Sequence, residues 1–327
     1  MKKVLIIVNI LLFVVLVFIL SYPRIQAGRV KEISIVYNKN INSLPLFVAQ
    51  ENGYFDSLKL KVNLVEVGRP GDEVEQVGRG AMGAGFGTSW DQFALKASAS
   101  PEIYRIIYNV KASITSPQSA LVSPKNKNIR TFRDLTKRGT RIGYLRDTRQ
   151  MDMIRYIMAS ERVPEENYNL MPYTFAEMKD ENTLRFVDAM VVTEPLRTYL
   201  IKHNLVNVIE DGFLEKRVIN PMMFGVGYTS RVNVQLNKDG VARLVESLSE
   251  AINFIRKDPQ AAERILRKYL DLGEDTFSIN LPTYEKYSEI SDLTEINRTL
   301  QKFVEMQVMF REVSFDNSIL RRDEIQK

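Results

Sequence analysis

Short apolar and β-branched runs alternate with segments of helical spacing along most of this chain. Residues 33–37, 61–67 and 81–87 predict three strands, and a helix start signal follows each of them. At the first of these starts, Ser43 occupies the N-cap position and Pro45 the first turn. Strands and helices that alternate in this order are typical of a parallel α/β sheet.

The same alternation continues beyond the middle of the chain. Further strands are predicted at residues 104–114, 119–122, 141–144, 186–192, 206–209 and 222–229. Further helices are predicted at 90–97 and 151–159, and the chain is almost wholly helical from residue 240 onward. A chain of 327 residues built in this way predicts one large or two ordinary α/β domains.

Polar side chains recur where a predicted strand ends and a helix begins. Such junctions fall at residues 38–43, 88–90, 147–149 and 193–194. In an open α/β sheet, ligands bind outside the carboxyl ends of the strands, where helix N-termini offer free N–H groups suited to anionic groups. One junction alone is an ordinary N-cap, but four together predict a solute cleft.

The first thirty residues resemble a targeting segment. Lys2 and Lys3 precede an apolar run over residues 4–20, and residues 25–27 (Ile-Gln-Ala) form a weak cleavage site. This pattern predicts export, with residues 1–27 as a signal peptide or as an N-terminal membrane anchor. Both outcomes stay open, because seventeen residues is also the short limit of a membrane span of about 17–25 residues.

The composition excludes several classes of protein. With no cysteine, the chain has no disulfide framework, no thiolate metal site, no thiol nucleophile and no lipoprotein anchor. The net charge is +5, and removal of Lys2, Lys3 and Arg24 with the leader leaves +2. The basic residues are interspersed with acids, which argues against nucleic-acid binding. An exported chain of this kind fits the bacterial periplasm, free or tethered to the inner membrane by an uncleaved N-terminal helix.

Two features that could carry chemistry have simpler explanations. Residues 78–83 spell G-x-G-x-x-G, but the dinucleotide motif must follow a strand and open a helix, and this one follows a helical stretch and leads into a strand. His203 is the only histidine, and no metal-ligand spacing surrounds it. We therefore expect no catalytic residue, no metal site and no cofactor.

Several ordered segments resemble the nitrate/sulfonate/taurine-type (NMT1/THI5-like) substrate-binding proteins of ABC importers. Residues 44–55 look like the opening segment "P-x-x-x-A-x-x-x-G-Y-F" of that family. Residues 131–144 and 187–195 resemble its "s-l-x-D-L-k-G-k-x-i-G-v" and "v-D-A-x-v-x-x-E-P" segments. Residues 229–230 and 258–262 resemble its late helices, so the similarity extends over most of the chain.

The resemblance implies an α/β, two-lobed type II periplasmic-binding-protein fold with a ligand cleft between the lobes. Lobe 1 would comprise residues 32–116 and 221–327, and lobe 2 residues 117–220, with a hinge where two strands cross near residues 116–121 and 218–225. It further implies a monomeric, non-catalytic receptor for a small organic ligand, either anionic (sulfonate- or carboxylate-like) or nitrogenous. The receptor would deliver that ligand to an ABC transporter permease in the inner membrane.

The predicted ligand site combines junction residues with nearby cations. The predicted ligand-binding residues are Asn38, Ser43, Arg69, Thr88, Ser89, Trp90, Gln118, Arg146, Asp147, Thr148, Arg149 and Glu194. Trp90 would form an apolar or stacking wall, and the three arginines would hold an anionic group. Glu194 would meet an amine on the ligand, or it would simply occupy a first helical turn, where acids are favoured.

Two other functions stay open. The first is an enzyme on the same fold, similar to the pyrimidine-precursor synthases of thiamine biosynthesis or to the menaquinone-pathway dehydratases. The synthases rely on Cys and His, whereas this chain has no Cys and one His, and the dehydratases normally lack an export signal. The second is a membrane-anchored sensor or accessory subunit, which would require the N-terminal helix to be retained.

Overall fold

The computed structural model describes residues 11–13, 15–17, 29–146, 148–273, 278–290 and 293–326. The predicted signal peptide or anchor therefore lies largely outside the described residues. Within those ranges, no helix has the length and apolar character needed to cross a bilayer.

Eleven strands make up the two sheets of the described chain. They are Lys31–Tyr37 (β1), Leu60–Glu66 (β2), Ala84–Ser89 (β3), Tyr104–Ala112 (β4), Ser119–Pro124 (β5), Thr140–Leu145 (β6), Tyr168–Tyr173 (β7), Ala189–Thr193 (β8), Val206–Asp211 (β9), Met222–Ser230 (β10) and Thr283–Lys286 (β11). The first sheet has the order β11-β4-β10-β3-β1-β2, and the second has the order β7-β6-β8-β5-β9.

Helices cover both sheets. From residue 29 onward, the described α-helices are Leu44–Glu51 (α1), Tyr54–Ser57 (α2), Asp72–Gly78 (α3), Trp90–Ala97 (α4), Gln150–Ser160 (α5), Glu181–Phe186 (α6), Leu196–Lys202 (α7), Phe213–Arg217 (α8), Arg231–Leu236 (α9), Lys238–Lys257 (α10), Pro259–Leu270 (α11), Thr294–Glu305 (α12) and Arg322–Ile325 (α13). Short 3-10 helices lie at Ile41–Ser43, Pro101–Ile103, Phe132–Thr136, Glu165–Asn167, Glu177–Lys179 and Tyr287–Glu289. The predicted α/β class is confirmed.

The parallel strands of each sheet carry the core on both faces. In the first sheet, β1 pairs in parallel with β2 and β3, while β10 runs antiparallel to β3 and β4. Successive residues of a strand point to opposite faces. Ile35 accordingly packs in one cluster with Phe47 and Leu244, whereas Val36 packs in another with Phe93. In the second sheet, β6 pairs in parallel with β7 and β8.

The chain passes twice from one sheet to the other, between β4 and β5 and again between β9 and β10. Helix α12 also connects the two sheets, because Phe303 lies in one hydrophobic cluster with Trp90 near the first sheet and Ile154 near the second. The lobe boundaries and the hinge stay predictions. The first sheet takes its strands from residues 31–112 and 222–286, and the second from residues 119–211.

Several predicted elements differ from the structure. The strand predicted at residues 186–192 begins only at Ala189, because Phe186 ends α6. Strands β7 and β11 were not predicted, and β11 interrupts the segment that we expected to be wholly helical. The G-x-G-x-x-G segment at residues 78–83 begins at the end of α3 and leads into β3, which agrees with the prediction that it is not a dinucleotide motif.

Candidate functional site

A cleft of about 460 Å³ lies between the two sheets. Residues that directly follow β1, β2 and β3 line one side, and residues that follow β6, β7 and β8 line the other. The cleft therefore lies at the carboxyl ends of the parallel strands of both sheets, where open α/β folds bind their ligands. Its volume is in the range of small-molecule sites, about 300–1,000 Å³.

The loop after β1 lines the cleft at residues 38–42, and side-chain hydrogen bonds fix its conformation. Ser43 Oγ donates to the Asn38 carbonyl at 2.6 Å, and Asn40 Nδ2 donates to the Gly87 carbonyl at 2.7 Å. Gly87 has φ of +79°, and a Cβ there would lie 2.4 Å from the Asn38 carbonyl oxygen. Only glycine fits this close approach, so the loop and the end of β3 are positioned before any ligand arrives.

Four of the predicted ligand-binding residues line the cleft. They are Asn38, Ser89, Thr148 and Glu194, one from each predicted strand-to-helix junction. Thr148 Oγ1 donates to the Leu145 carbonyl at 2.6 Å, which fixes the turn after β6. The four junctions that the sequence predicts to be neighbours thus meet in one cavity, although whether these side chains bind a ligand stays a prediction.

Three predicted polar residues are fully buried and hold the fold together. Ser43 supports the loop after β1, as described above. Thr88 Oγ1 donates to Glu73 Oε1 at 2.7 Å, and Gln118 Nε2 donates to the Asn280 carbonyl at 3.0 Å. None of the three lines the cleft. A polar residue at a strand end can bond inward as readily as toward a ligand, and the sequence does not distinguish the two.

Burial raises the pKa of Glu73, although its hydrogen bonds oppose that effect. Besides Thr88, the carboxylate accepts from the Gly71 N–H at 2.9 Å. Glu73 is completely buried and does not line the cleft. Its role is to connect the start of α3 with the end of β3.

Trp90 lies in the hydrophobic core, so the prediction that it forms a cleft wall is corrected. Its side chain is completely buried, and its ring meets Phe93 and Phe315 edge-on, with centroids 5.5 and 5.9 Å away. Its Nε1 donates to Asn109 Oδ1 at 2.6 Å. The indole therefore points away from the cleft, while the neighbours Ser89 and Asp91 on either side of it line the cavity.

None of the three predicted arginines lines the cleft. Arg69 is exposed, and Arg146 pairs with Glu177 at 3.4 Å on the surface. Arg149 pairs with Asp152 at 2.8 Å. The remaining predicted residue, Asp147, lies outside the described residues. The cations expected to hold an anionic group are thus either exposed or already paired.

Glu194 lines the cleft, but its carboxylate already binds residues on its own side of the cavity. Its Oε1 accepts from Thr198 Oγ1 at 2.6 Å and from Arg197 Nη1 at 2.7 Å. Arg197 also pairs with Asp211 at 2.6 Å. Burial raises the pKa of Glu194, and the bonds from Thr198 and Arg197 oppose that effect. The carboxylate fastens the start of α7 and has little capacity left for a ligand amine.

The sequence pattern missed much of the cleft lining. Met222, Met223 and Phe224 at the start of β10 form an apolar wall together with Leu270, the last residue of α11, and Leu272 just beyond it. Asp91 was also missed, because an acid in the first turn of a helix is ordinarily explained by the helix dipole. In this fold, the same position faces the opposite sheet across the cleft.

His203 lies at the exposed C-terminal end of α7, with its ring centroid 4.4 Å from that of Tyr199. It does not line the cleft. Over the described ranges, no group of three or more His, Cys, Asp or Glu residues is arranged to hold a metal ion. The cleft is therefore lined by amides, hydroxyls, carboxylates, the ammonium group of Lys39 and apolar side chains.

Comparison with known proteins places the fold. A family model described as NMT1/THI5 like matches residues 40–262. The structure is similar to the periplasmic aliphatic sulphonate binding protein SsuA from Escherichia coli, with a TM-score of 0.67, 15% identity, and coverage of 89% of this chain and 92% of that one. It is also similar to the periplasmic nitrate-binding protein NrtA from Synechocystis PCC 6803, with a TM-score of 0.62, 11% identity, and coverage of 90% and 87%. The predicted two-lobed binding-protein fold is confirmed.

A shorter similarity concerns an enzyme. The 4-amino-5-hydroxymethyl-2-methylpyrimidine phosphate synthase of Schizosaccharomyces pombe is 28% identical over 102 residues, which is 31% of this chain and 28% of that protein. The synthase of Legionella pneumophila is 28% identical over 101 residues, 31% of this chain and 30% of that protein. This chain therefore matches less than a third of the length of either synthase.

Proposed function

Because the chain belongs to the NMT1/THI5-like family, we propose that it is an extracytoplasmic solute-binding protein of an ABC importer. The observation that carries this proposal is the cleft, which lies between two sheets and takes its lining from both. The chain crosses between the two sheets twice, once before the strands of the second sheet and once after them. The two halves can therefore close over a ligand by a hinge motion. The captured ligand would then be handed to a permease in the inner membrane.

The same proposal implies a division into two lobes and a location outside the cytosol. Lobe 1 would comprise residues 32–116 and 221–327, and lobe 2 residues 117–220. The binding proteins of similar structure are periplasmic by name, and the basic and apolar pattern of residues 2–20 supports export. We expect a monomer that is either released by cleavage near residue 27 or tethered to the membrane by its N-terminal segment.

The second candidate function is an enzyme on the same fold. The partial similarity to pyrimidine phosphate synthases favours it. Against it, the described cleft lining carries no histidine and the sequence has no cysteine, and these are the two side chains on which the synthases rely. We therefore place binding ahead of turnover.

A ligand screen on the wild type and on a variant with a filled cleft tests the proposal. A thermal-shift screen of amines, carboxylates, sulfonates and nitrogen heterocycles should find a compound that stabilises the wild-type protein, by about 2.7 kcal/mol at one hundred times its Kd. Val67 is half-buried on the cleft wall directly after β2, so Val67→Trp places an indole inside the cavity. We expect this variant to lose the stabilisation by that compound.

The control is the same substitution two residues earlier. Val65 lies on β2 with 39% of its surface exposed and does not line the cleft, so Val65→Trp should keep the response of the wild type. A compound that stabilises Val67→Trp as strongly as the wild type binds elsewhere, and that result would count against the cleft as the ligand site.

A further inference from the structure

The charged side chains of the cleft are mostly acidic. Among the described lining residues, Glu66, Asp91 and Glu194 are acids and Lys39 is the one cation. Lys39 Nζ lies 2.6 Å from Asp271 Oδ2, and Glu194 has its own ion pair on the far side of the cavity. Glu66 and Asp91 have no Lys or Arg nitrogen of the described chain within 4 Å. The lining of the cleft therefore carries more negative than positive charge.

Of Glu66 and Asp91, Asp91 is the better placed to bind a ligand. It is 6% exposed and lies in the first turn of α4, where the helix N-terminus favours a negative charge. Its Oδ2 accepts from the backbone N–H of Arg149 at 3.1 Å, across the cleft. Its Oδ1 has no hydrogen-bond partner among the described residues. The carboxylate is thus held in place, with one oxygen left for a donor on a ligand.

A second acceptor lies on the same cleft wall. Asn42 is 5% exposed, and its Oδ1 has no hydrogen-bond partner within the described chain. The side chain is confined against Gly225, where a Cβ would lie 2.3 Å from Asn42 Cγ. A buried acceptor without a donor is unfavourable. The atom is closed off from solvent in this conformation, so a ligand N–H or O–H would satisfy it once the amide turns toward the cavity.

Apolar groups make up much of the remaining lining. Phe224 and Leu272 lie on the side of the first sheet, and Phe175 and Leu214 on the side of the second. Such walls exclude water and strengthen an ion pair between Asp91 and a bound cation. An anion placed here would lose its hydration and face Asp91 without a free cation from the lining, which is strongly unfavourable.

From this arrangement we infer that the ligand is an organic cation, namely an apolar molecule with a protonated amine or amidine that pairs with Asp91. The inference rests on the proposed solute-binding function and names the ligand class for that cleft. The protonated nitrogen would donate to Asp91 Oδ1, and the carbon skeleton would pack between Phe224 and Leu214. Glu66, which is exposed at the cleft mouth, would attract the cation as it approaches.

The test is a set of probes that share one ring and differ in charge: benzylamine and benzamidine as cations, benzyl alcohol as the neutral form, and benzoate and benzenesulfonate as anions. Isothermal titration should show binding of the two cations in preference to the other three. Asp91→Asn should lower the cation affinity by at least about tenfold, because a charge-assisted hydrogen bond becomes a neutral one. The melting temperature of the unliganded variant reports whether it folds.

The matched control is Asp72→Asn. Asp72 is likewise an acid in the first turn of a helix, α3, but it does not line the cleft, so cation affinity should stay at the wild-type value. Glu66→Gln should have a smaller effect than Asp91→Asn, because exposed charges are screened by salt.

Each other outcome overturns the inference in a distinct way. If the anions alone bind and Val67→Trp abolishes their binding, the cation assignment is wrong and the solute-binding function stands. If the cations bind equally well to Val67→Trp, the site lies outside the cleft, which also contradicts the proposed function. Unchanged cation affinity in Asp91→Asn, or no cation binding at millimolar concentration, would rule out Asp91 as the counter-ion.

Discussion

Trp90→Ala is expected to destabilise the protein by about 3–5 kcal/mol, the range for removal of a large buried aromatic side chain. The indole is completely buried between Phe93 and Phe315, so its removal leaves a cavity that the surrounding rings fill only in part. The substitution also removes the donor to Asn109 Oδ1, a buried acceptor. Urea denaturation followed by circular dichroism measures the loss, since the variant has no other tryptophan to report by fluorescence.

Trp90→Phe separates the two contributions. It keeps an aromatic ring between Phe93 and Phe315 and loses mainly the hydrogen bond to Asn109, so we expect a smaller loss of about 1–3 kcal/mol. If Trp90→Ala is as stable as the wild type and binds ligand more weakly, Trp90 lines the cleft and the packing described here is wrong.

Arg197→Ala is expected to have an effect of similar size, about 3–5 kcal/mol, because it leaves the buried Glu194 carboxylate without its cation. The Glu194 side chain is completely buried, and that of Arg197 is 12% exposed. Chemical denaturation at neutral pH measures the loss. The effect should be one of stability, since the pair fastens the start of α7 and the guanidinium does not line the cleft.

The pH dependence of Arg197→Ala follows from Glu194. Burial raises the pKa of Glu194, so the folded state is favoured while this carboxyl is protonated, and that contribution is lost as the pH rises through the folded-state pKa. The deficit of Arg197→Ala should therefore shrink as the pH falls toward the carboxyl range, about 4.3 for an unperturbed Glu. Adding Glu194→Gln to Arg197→Ala should recover part of the loss at neutral pH. No recovery, or a deficit independent of pH, would show that the buried charge is not the cause.

The alternation of strands and helices was sufficient to predict the α/β class and the meeting of four junctions in one cleft. Asn38 and Ser89 come together in the first sheet, and Thr148 and Glu194 in the second, because the carboxyl ends of parallel strands share an edge. The cleft lies where these two edges face each other, which is a property of the fold and independent of the side chains. Strand β7 was missed because Asn169 and Pro172 weaken the strand pattern.

The direction of individual side chains was less predictable. Thr88 and Ser89 are adjacent in β3, yet one bonds inward to Glu73 and the other faces the cleft. Trp90 and Asp91 show the same contrast two positions later, because consecutive residues leave the backbone in different directions. A sequence pattern locates such a junction to within a few residues, whereas the assignment of each side chain requires the packing of the opposite sheet.

The apolar wall required tertiary information. Met222 and Met223 are nearly buried, and they also line the cavity. Leu270 and Leu272 reach the same wall from the end of α11, far away in the sequence. No local pattern connects these positions, because their meeting depends on how β10 and α11 pack against the loop after β1.

The central claim is that the cleft binds its ligand and does not transform it, and recovery of a bound compound tests this most directly. The protein would be incubated for hours with an excess of a compound that stabilises the wild type but not Val67→Trp, and the compound would then be quantified by mass spectrometry after denaturation of the protein. We expect full recovery of the unchanged compound, with about one molecule bound per chain. Conversion that increases with protein concentration and is absent in Val67→Trp would contradict the claim and identify the cleft as the active site of an enzyme.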